Sequence, residues 1–388
     1  MNFKFNKKLR EVATEICKSI VPRKFISMPV LTNVLFEANE SLGEVAVIGS
    51  DGNVFVRYCV EAEVGESGKI LFPANMLLNF FGKVPVSDIE FNAQDNESIT
   101  ISIHNAEYQI FNRDHSHFPN FDALTGAPFV PLLNFKAEAL ADQLCHAAST
   151  DPMRPQLCGI NLQIGENLKG LATNGIMISM LEMEITQSDF AVNPVDITCP
   201  PLFLKAISNL PKGEETTGTL HVLGNKIEYR CGNLQVTCNL FEGEYPRKTL
   251  SKLPESSDKL LTSDVRLLIK AIETAEVMDK ATGRIVLKLD ETECSVSASS
   301  LDEGRSHIEL DPAFHFYEGK NIELAARGKF LKTALRRVNT DFAKVYVSNS
   351  KRHNPIMITN HYTDDQEPGV ITVRHYVMPM KISCQGYC

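Results

Sequence analysis

The sequence predicts an α+β protein of three structurally alike domains, each made of antiparallel sheets and two helices. A strand followed by a helix occurs three times, at 69–85, 195–213 and 321–339, and the aligned leucines of these units, Leu77, Leu204 and Leu331, are equally spaced. An alternating strand followed by an amphipathic helix also opens each repeat, at 2–20, 133–149 and 259–277. A period this long indicates copies of a whole domain and not a solenoid. The predicted domains are 1–130, 131–257 and 258–388.

In the first repeat, residues 2–5 alternate polar and apolar side chains, and the next segment, 6–24, has its apolar residues at helical spacing. Residues 28–38 have the apolar pattern of a buried strand. The turn residues 50–53 then connect two strands in a hairpin. A second helix, 74–83, follows Pro73, and short strands between 89 and 113 complete the domain.

The second repeat has its hairpin at 159–185, with the turn Thr173-Asn174-Gly175, and the third has its hairpin turn at 301–304. Four helices are predicted in these two repeats, at 136–149, 201–212, 264–276 and 327–338. The polar segment 247–259 separates the second repeat from the third. Each repeat therefore holds about eight strands and two helices.

Composition excludes several classes of protein. With 43% hydrophobic and 22% charged residues, each third of the 388-residue chain can bury a core. Ten cysteines without a CxxC pair are typical of reduced thiols in the cytosol. No stretch is long and apolar enough to span a bilayer, and the amino terminus lacks the features of a signal peptide. We therefore expect a cytoplasmic protein.

Charge is distributed unevenly along the chain. The formal net charge is −9, yet Lys and Arg outnumber Asp and Glu over the six predicted helices taken together. Basic helices on an acidic body would suit a surface that meets DNA phosphates without reading sequence. The alternative is that these basic side chains only solvate exposed helix faces, and both interpretations stay open for the segment 327–337.

Four segments resemble one family over the whole chain: 25–38, the turn ATNG at 172–175, EGEYP at 242–246 and YVMPMKI at 376–382. With the triplicated domain, they are similar to the bacterial DNA polymerase sliding clamp, the DNA polymerase III beta subunit. The resemblance implies the DNA clamp fold, a ring-forming homodimer joined head to tail around double-stranded DNA, no catalytic site and no cofactor. It also implies a role as a processivity factor in DNA replication.

In this family a groove between the second and third domains binds short peptides of DNA polymerase III subunits, the clamp loader and other proteins with a clamp-binding motif. The matching positions are Leu157, Thr173, Gly175, Ile176, Ile178, Pro246, Tyr376, Met378, Pro379, Met380 and Lys381. Methionines suit a hydrophobic slot that accepts different ligands. This chain has Ile-Met-Ile at 176–178 where the family usually has His-Arg-Leu, and residues 383–388 extend past the usual end.

The expected DNA contacts combine loop residues that match the family with basic residues of the predicted helices: Arg23, Lys24, Arg154, Lys205, Arg327, Lys332, Arg336 and Arg337. Pro155 and Gln156 stand where many clamps carry tyrosines before the following leucine, so an aromatic stacking contact is not expected from those two positions. The expected dimer interface pairs edge strands of the first and third domains. The residues that match it are Met76, Phe80, Tyr108, Ile110, Val277 and Met278.

Two other functions remain as alternatives at this stage. A three-domain scaffold that binds peptides without encircling DNA would share the groove but form no ring. A metal-dependent hydrolase would use the His-x-His pair His115 and His117. The sequence contains no GxSxG, Walker-type loop or Rossmann glycine pattern, so a protein without its own chemistry is the preferred prediction.

Overall fold

The computed structural model describes residues 1–23, 27–84, 89–93, 98–103, 106–111, 113–120, 123–185, 188–247, 253–254, 259–347, 354–361 and 371–380. The chain forms two compact units. The first contains Met1–Ala141, Ile164–Glu166 and Ile185–Phe241, and the second contains Asp142–Gln163, Asn167–Glu184 and Glu242–Cys388. The second sequence repeat therefore contributes to both units.

The helices of the described residues match the six predicted positions. They are α1 (Lys7–Ser19), α2 (Ala74–Lys83), α3 (Asn134–Leu144), α4 (Pro201–Asn209), α5 (Val265–Glu276) and α6 (Gly328–Leu335).

The strands of the first repeat are β1 (Asn2–Phe5), β2 (Asn33–Asn39), β3 (Glu44–Ser50), β4 (Val54–Glu61), β5 (Val64–Glu66), β6 (Gly68–Pro73), β7 (Ile89–Asn92), β8 (Ser98–Ile103) and β9 (Ala106–Phe111). Those of the second are β10 (Phe129–Leu133), β11 (Ile160–Ile164), β12 (Asn167–Thr173), β13 (Met177–Glu184), β14 (Val195–Cys199), β15 (Thr217–Leu223), β16 (Lys226–Cys231) and β17 (Leu234–Asn239). Those of the third are β18 (Lys259–Asp264), β19 (Arg284–Leu289), β20 (Cys294–Ser300), β21 (Gly304–Leu310), β22 (His315–Glu318), β23 (Ile322–Arg327), β24 (Phe342–Val347), β25 (Ile356–Asn360) and β26 (Ile371–Val377).

Local side-chain chemistry sets where several helices begin. The Asn6 side chain accepts a hydrogen bond of 2.8 Å from the Leu9 amide at the start of α1, and Asp264 does the same for Leu267 at the start of α5. Pro201 occupies the first position of α4, where its missing N–H costs no helical hydrogen bond. The predicted proline start of this helix is confirmed.

One strand was predicted too long. The apolar run 28–38 does not form a single strand, because residues Pro29–Thr32 form a 3-10 helix and β2 begins at Asn33. The Asn33 side chain donates to the Val30 carbonyl at 2.8 Å and the Thr32 hydroxyl donates to the Pro29 carbonyl at 2.8 Å. Polar side chains in the run thus bond to the local backbone and hold a turn that the apolar pattern does not show.

The first unit contains two sheets. One has the strand order β5-β1-β7-β8-β9, and the other has the order β10-β15-β16-β17-β4-β3-β2-β6. In the second of these sheets, β4 of the first repeat pairs antiparallel with β17 of the second, with Val54 opposite Cys238. The first two repeats therefore share one hydrogen-bonded sheet.

The second unit repeats this arrangement. Its larger sheet runs β11-β12-β13-β26-β25-β24-β18-β22, and its smaller sheet runs β21-β20-β19-β23. Here β13 of the second repeat pairs antiparallel with β26 of the third, with Met177 opposite Val377. The same kind of strand pair thus joins the second repeat to the third. The strands β9 and β21 each lie at the edge of a sheet.

Candidate functional site

The floor of the candidate groove is a buried apolar cluster in the second unit. Its members are Leu171, Ile178, Tyr245, Met357 and Tyr376, and Leu157, Met180, Leu253 and Tyr346 pack against it. The cluster brings together strands β12, β13, β25 and β26 with the segment that contains Tyr245. Of the predicted groove residues, Ile178 and Tyr376 are therefore core residues that support the surface.

Hydrogen bonds fix the two tyrosines of this floor. The Tyr245 hydroxyl oxygen accepts from the Thr173 amide at 3.0 Å, and the Tyr376 hydroxyl donates to the Pro254 carbonyl at 3.2 Å. Burial raises the pKa of Tyr245 to about 12, so this phenol stays protonated at neutral pH. The two rings are therefore held in place by hydrogen bonds as well as by packing, so this floor is preorganised.

The turn between β12 and β13 lies beside this floor and contains three of the predicted groove residues. The buried Thr173 hydroxyl donates to the Met177 carbonyl at 2.7 Å and accepts from the Gly175 amide at 3.1 Å. The Asn174 side chain accepts from the Ile176 amide at 3.0 Å. Gly175 has φ +87°, a conformation that favours glycine. This turn therefore holds Ile176 half-buried at its tip.

The segment after β26 continues beside this turn. The Met378 amide donates to the Ile176 carbonyl at 2.8 Å, and the Met380 amide donates to the Ala325 carbonyl at 2.7 Å. Met378, Pro379 and Met380 are all half-buried. A row of partly exposed apolar groups thus lies next to the turn tip.

We call the partner groove the surface formed by the floor cluster with Ile176, Met378, Pro379 and Met380. The structure places the predicted residues Leu157, Thr173 and Gly175 in the same unit, and Pro246 is exposed directly after Tyr245. Lys381 lies outside the described residues. Sequence reasoning missed Leu171 and Met357, although the alternation of their strands could have identified both as buried.

A hydrogen-bonded polar network lies on the other face of β13 and β26. Ser179 is opposite His375 in the strand register, and its hydroxyl lies 2.8 Å from the His375 Nδ1 and 3.1 Å from the His146 Nε2. The His375 Nε2 is 3.2 Å from the Gln143 side-chain oxygen, and the Gln143 amide donates to the Arg337 carbonyl at 3.1 Å. Burial lowers the pKa of His375 to about 3 and that of His146 to about 4, so both rings are neutral near pH 7.

The predicted DNA contacts fall into two groups. Arg23, Arg154, Lys205 and Arg327 have exposed side chains, while Lys24 lies outside the described residues. The basic residues at the end of α6 have acidic partners inside the second unit. The Lys332 Nζ lies 2.5 Å from the Glu276 Oε2, and the Arg336 Nη2 lies 2.7 Å from the Glu273 Oε1.

Arg337 also pairs with an acid, Asp142. The charge count along α6 therefore overstates its available positive charge, because α5 and α3 supply carboxylates that no local pattern reveals. Partly exposed ion pairs of this kind contribute about 0–1 kcal/mol, so a phosphate could displace the carboxylate at little cost.

The residues predicted for the dimer interface occupy exposed or half-buried positions in each unit. Tyr108 on β9 is 46% exposed and contacts Phe80 of α2 edge to face, with ring centroids 5.5 Å apart. Met76 on α2 is 46% exposed, and Val277, just after α5, is 50% exposed. Ile110 and Met278 are half-buried. These side chains combine apolar character with exposure, as an interface requires.

The His-x-His pair lies in the loop before the buried Phe118, with His115 half-buried and His117 exposed. Among the described residues, neither histidine belongs to a group of three metal-ligating side chains. No helix in the described parts of the chain is long and apolar enough to cross a membrane.

Comparison with known proteins gives one family along the chain. Models of the DNA polymerase III beta subunit match residues 1–122 as the N-terminal domain, 135–247 as the central domain and 251–380 as the C-terminal domain. The beta sliding clamp of Staphylococcus aureus is 22% identical over 337 residues, which cover 84% of this chain and 87% of the relative.

Solved structures share the fold. The beta subunit of Streptococcus pyogenes DNA polymerase superimposes with a TM-score of 0.85 at 18% identity, covering 98% of this chain and 100% of the other. The sliding clamp of Pseudomonas aeruginosa bound to griselimycin has a TM-score of 0.85 at 20% identity, with the same coverage of both chains. Together with the family models, the repeated domains and the YVMPM strand end, these similarities show that the chain belongs to the DNA polymerase III beta subunit family, the sliding clamps, which are replication processivity factors without catalytic activity.

Proposed function

We propose that two copies of this chain close head to tail into a ring that encircles duplex DNA. The observation that carries the proposal is the repeated strand junction. The hairpin strand β4 of the first repeat pairs with β17, the last strand of the second repeat. The hairpin strand β13 of the second repeat pairs with β26, the last strand of the third. By the same rule, β21 of the third repeat needs β9 of a first repeat, and a second copy of the chain can supply it.

The state of these two strands supports the proposal. Both are sheet edges, and β9 is exposed over most of its length. Exposed edge strands invite pairing with another chain, and natural proteins normally cover them. If β9 of each copy pairs with β21 of the other, both edges are covered and the assembly closes with two-fold symmetry. We call this proposed β9–β21 contact the seam.

The two observed junctions also give the register expected at the seam. Ile110 takes the place of Cys238, because each lies four residues after the first paired residue of its strand. Ala106 is opposite Ile103 in one hairpin, and Leu234 is opposite Cys231 in the other. On the other strand, Ser306 takes the place of Ser179, since each hydroxyl contacts a residue at or just after the end of the preceding helix. Ser306 donates to the Ala275 carbonyl at 3.0 Å, as Ser179 meets His146 at 3.1 Å.

With these equivalences, Ile110 lies opposite the partner's Gly304, and Tyr108 lies opposite the partner's Ser306. The faces of the two strands agree with this register. Tyr108 is on the same side of its sheet as the buried Ile101, and Ser306 is on the same side as the buried Ala298. If the register between β9 and the partner's β21 shifted by one residue, the core-facing side chains of one strand would lie beside the solvent-facing side chains of the other.

The charges support duplex DNA as the molecule inside the ring. Exposed basic side chains on helices and loops, including Arg23, Lys205 and Arg327, belong to a chain whose formal net charge is −9. Such side chains bind phosphates without reading the sequence, which allows sliding. Because the DNA to be copied lies in the bacterial cytoplasm, we infer that the protein acts there.

Light scattering and retention on circular DNA test the ring directly. We expect a particle of about twice 43.2 kDa. After assembly from dilute monomers in the presence of a nicked plasmid, we expect the protein to stay bound to the circle and to leave when the plasmid is linearised. A monomer with equal retention on circular and linear DNA would refute the ring and favour the peptide-binding scaffold.

We further propose that the partner groove binds short apolar peptide segments of DNA polymerase III subunits, of the clamp loader and of other replication and repair proteins. The fixed tyrosine floor and the half-buried Ile176, Met378 and Met380 support this proposal, since such surfaces accept apolar anchors of varied shape. Bound peptides would tether these enzymes to the ring.

Fluorescence polarisation with a labelled peptide that carries two apolar anchors tests the groove. We expect Ile176→Arg to weaken binding at least tenfold, because the charged side chain would occupy the slot. Leu301→Arg, at the 93% exposed tip of another hairpin turn of the same unit, is the matched control and should bind as the parent chain does. Equal affinity of the parent chain and Ile176→Arg would contradict the proposed site.

A further inference from the structure

Three side chains beside the proposed seam are arranged as metal ligands. Glu293, His307 and Glu309 each offer one ligand atom, and these atoms all lie within 4.8 Å of one another. The His307 Nε2 is 3.9 Å from a Glu293 carboxylate oxygen. All three side chains are exposed, so the group is open on one side.

Strand geometry explains why the three groups converge. His307 and Glu309 are two residues apart on β21, so they lie on the same face of the strand. On the neighbouring strand β20, their register partners are Ser297 and Ser295, both of which have small side chains. Glu293 directly precedes β20 and reaches the same face.

The register at the seam adds a fourth group. When Ile110 lies opposite the partner's Gly304, residue Glu107 lies opposite the partner's His307. In β9, Glu107 is the register partner of Ser102 and is exposed, on the face opposite to the buried Ile101. Directly opposite residues on antiparallel strands have Cβ atoms about 4.5–5.5 Å apart, which places the Glu107 carboxylate within reach of the His307 group.

Electrostatics then favours a cation at this position. Closing the seam brings a third carboxylate next to Glu293 and Glu309, with one imidazole between them. Like charges at this distance oppose association unless a cation binds among them. One imidazole nitrogen and several carboxylate oxygens are a ligand set for Zn²⁺ and for other divalent first-row metals.

We infer that each seam of the ring holds a divalent metal ion bound by Glu293, His307 and Glu309 of one copy and by Glu107 of the other. The inference rests on the head-to-tail ring proposed above. Metal binding would strengthen the dimer, and the dimer would complete the metal site. Each of the two seams of a closed ring would hold one ion.

The test uses the full chain without a polyhistidine tag, freed of metal by a chelator. Its dimer dissociation constant is measured by light scattering and sedimentation with and without Zn²⁺, and Zn²⁺ binding is measured by calorimetry. We expect Zn²⁺ to lower the dimer dissociation constant at least tenfold, a chelator to reverse this, and one ion to bind per chain.

Three variants remove ligands one at a time. We expect His307→Gln and Glu309→Gln to lose the response to Zn²⁺, and Glu107→Gln to weaken it while the dimer still forms. Glu318→Gln makes the same chemical change on β22 of the same unit and should respond as the parent chain does. A response that survives in His307→Gln, or that is lost in Glu318→Gln, would overturn the assignment of ligands.

The outcomes separate the metal site from the ring. A chain that remains monomeric at all protein and Zn²⁺ concentrations would refute the proposed ring. A dimer that neither binds Zn²⁺ nor changes with it would overturn only the metal inference. Unchanged Zn²⁺ affinity in Ile110→Asp, in which the seam is disrupted, would overturn the role of the partner's Glu107.

Discussion

Close packing between Gly218 and a tyrosine ring gives a test at the scale of single residues. A Cβ atom at Gly218 would lie 2.4 Å from the Tyr229 hydroxyl oxygen and ring. We expect Gly218→Ala to lower the free energy of unfolding by about 1–3 kcal/mol, because the fully buried ring cannot move away without strain. Urea unfolding followed by circular dichroism measures this change.

Gly82 in α2 provides the matched control for this substitution. A Cβ there would meet no atom within 4 Å. Gly82→Ala should therefore be neutral or stabilise the protein by about 0.5–1 kcal/mol, since alanine is the better helix former. Equal destabilisation by both substitutions would show that the packing around Tyr229 is not the cause.

The buried histidines His146 and His375 predict how stability depends on pH. Their pKa values are lowered to about 4 and about 3, against the usual 6.5, so between these limits the unfolded chain binds more protons than the folded one. The contribution of these two histidines to the free energy of unfolding should be at its full value above about pH 6.5. It should decrease as the pH drops toward 3. Each histidine contributes at most ~1.4 kcal/mol per pH unit.

Denaturant midpoints measured from pH 7.5 to pH 4 would test this dependence. His375→Gln should flatten the curve in this interval, because glutamine keeps a polar side chain but does not titrate. His221, which is on β15 of the other unit and partly exposed, provides the control His221→Gln, which should leave most of the slope. An unchanged slope in His375→Gln would contradict the assignment.

Individual residues of the candidate groove differ in how far the sequence alone indicates them. The segment 376–380 carries a residue pattern specific to the family, whereas the turn ATNG at 172–175 is weak by itself and gains meaning only beside that segment. The acidic partners of Lys332, Arg336 and Arg337 were not predictable, because Glu276, Glu273 and Asp142 are distant in sequence and meet them only in the fold. A charge count along one helix cannot include the carboxylates of its neighbours.

At the scale of elements, the contact between α5 and α6 distinguishes structural from DNA-binding roles. The Glu273 Oε1 lies 2.7 Å from the Arg336 Nη2 and 3.9 Å from the Lys332 Nζ. If α6 faces DNA in the ring, Glu273→Gln should raise DNA affinity a few-fold and steepen its salt dependence, because Arg336 becomes available to phosphates while Lys332 stays paired with Glu276. The free energy of unfolding should change by less than about 1 kcal/mol, since the Arg336 pair is largely exposed.

Retention of the clamp on circular DNA across a salt series measures this effect. Glu318→Gln on β22 removes the same charge away from both helices and controls for net charge. Reduced retention in Glu273→Gln would argue that its ion pairs position α6 and that the helix does not bind phosphate.

Helices and hairpins were predicted well because their signals are local. Asn6, Asp264 and Pro201 mark helix starts in the sequence, and the turn glycines Gly52 and Gly175 have the positive φ that the hairpin turns require. The segment 28–38 was less predictable. An apolar run fits a strand and a 3-10 turn equally, and local side-chain hydrogen bonds decide between them.

At the scale of the whole molecule, the seam predicts a change of assembly. Ile110→Asp would place a carboxylate on the inward face of β9, where the expected partner residue is glycine. We expect the measured mass to fall from about twice 43.2 kDa to 43.2 kDa, with unfolding unchanged because Ile110 lies on an edge strand. The control variant Leu301→Asp changes an exposed turn residue and should remain a dimer. If the Ile110→Asp variant is also a dimer, the proposed seam is contradicted.

The division of the chain could be predicted only in part. The equal spacing of repeated motifs predicted three domains, and the family models match three successive segments. The two compact units were not predictable, because the pairing of β4 with β17 and of β13 with β26 joins strands far apart in sequence. The boundaries at 130 and 257 stay predictions.

The shared sheets decide how a closed ring of this kind would yield under force. Adjacent repeats within one chain are held by a β-ladder and also by the polypeptide that runs through both. At the proposed seam no polypeptide joins the two repeats, and only noncovalent contacts would hold them. If the proposed ring forms, breaking the annulus needs only a short row of backbone hydrogen bonds and a few side-chain contacts to be peeled apart, so we expect the seam to open before either junction within a chain.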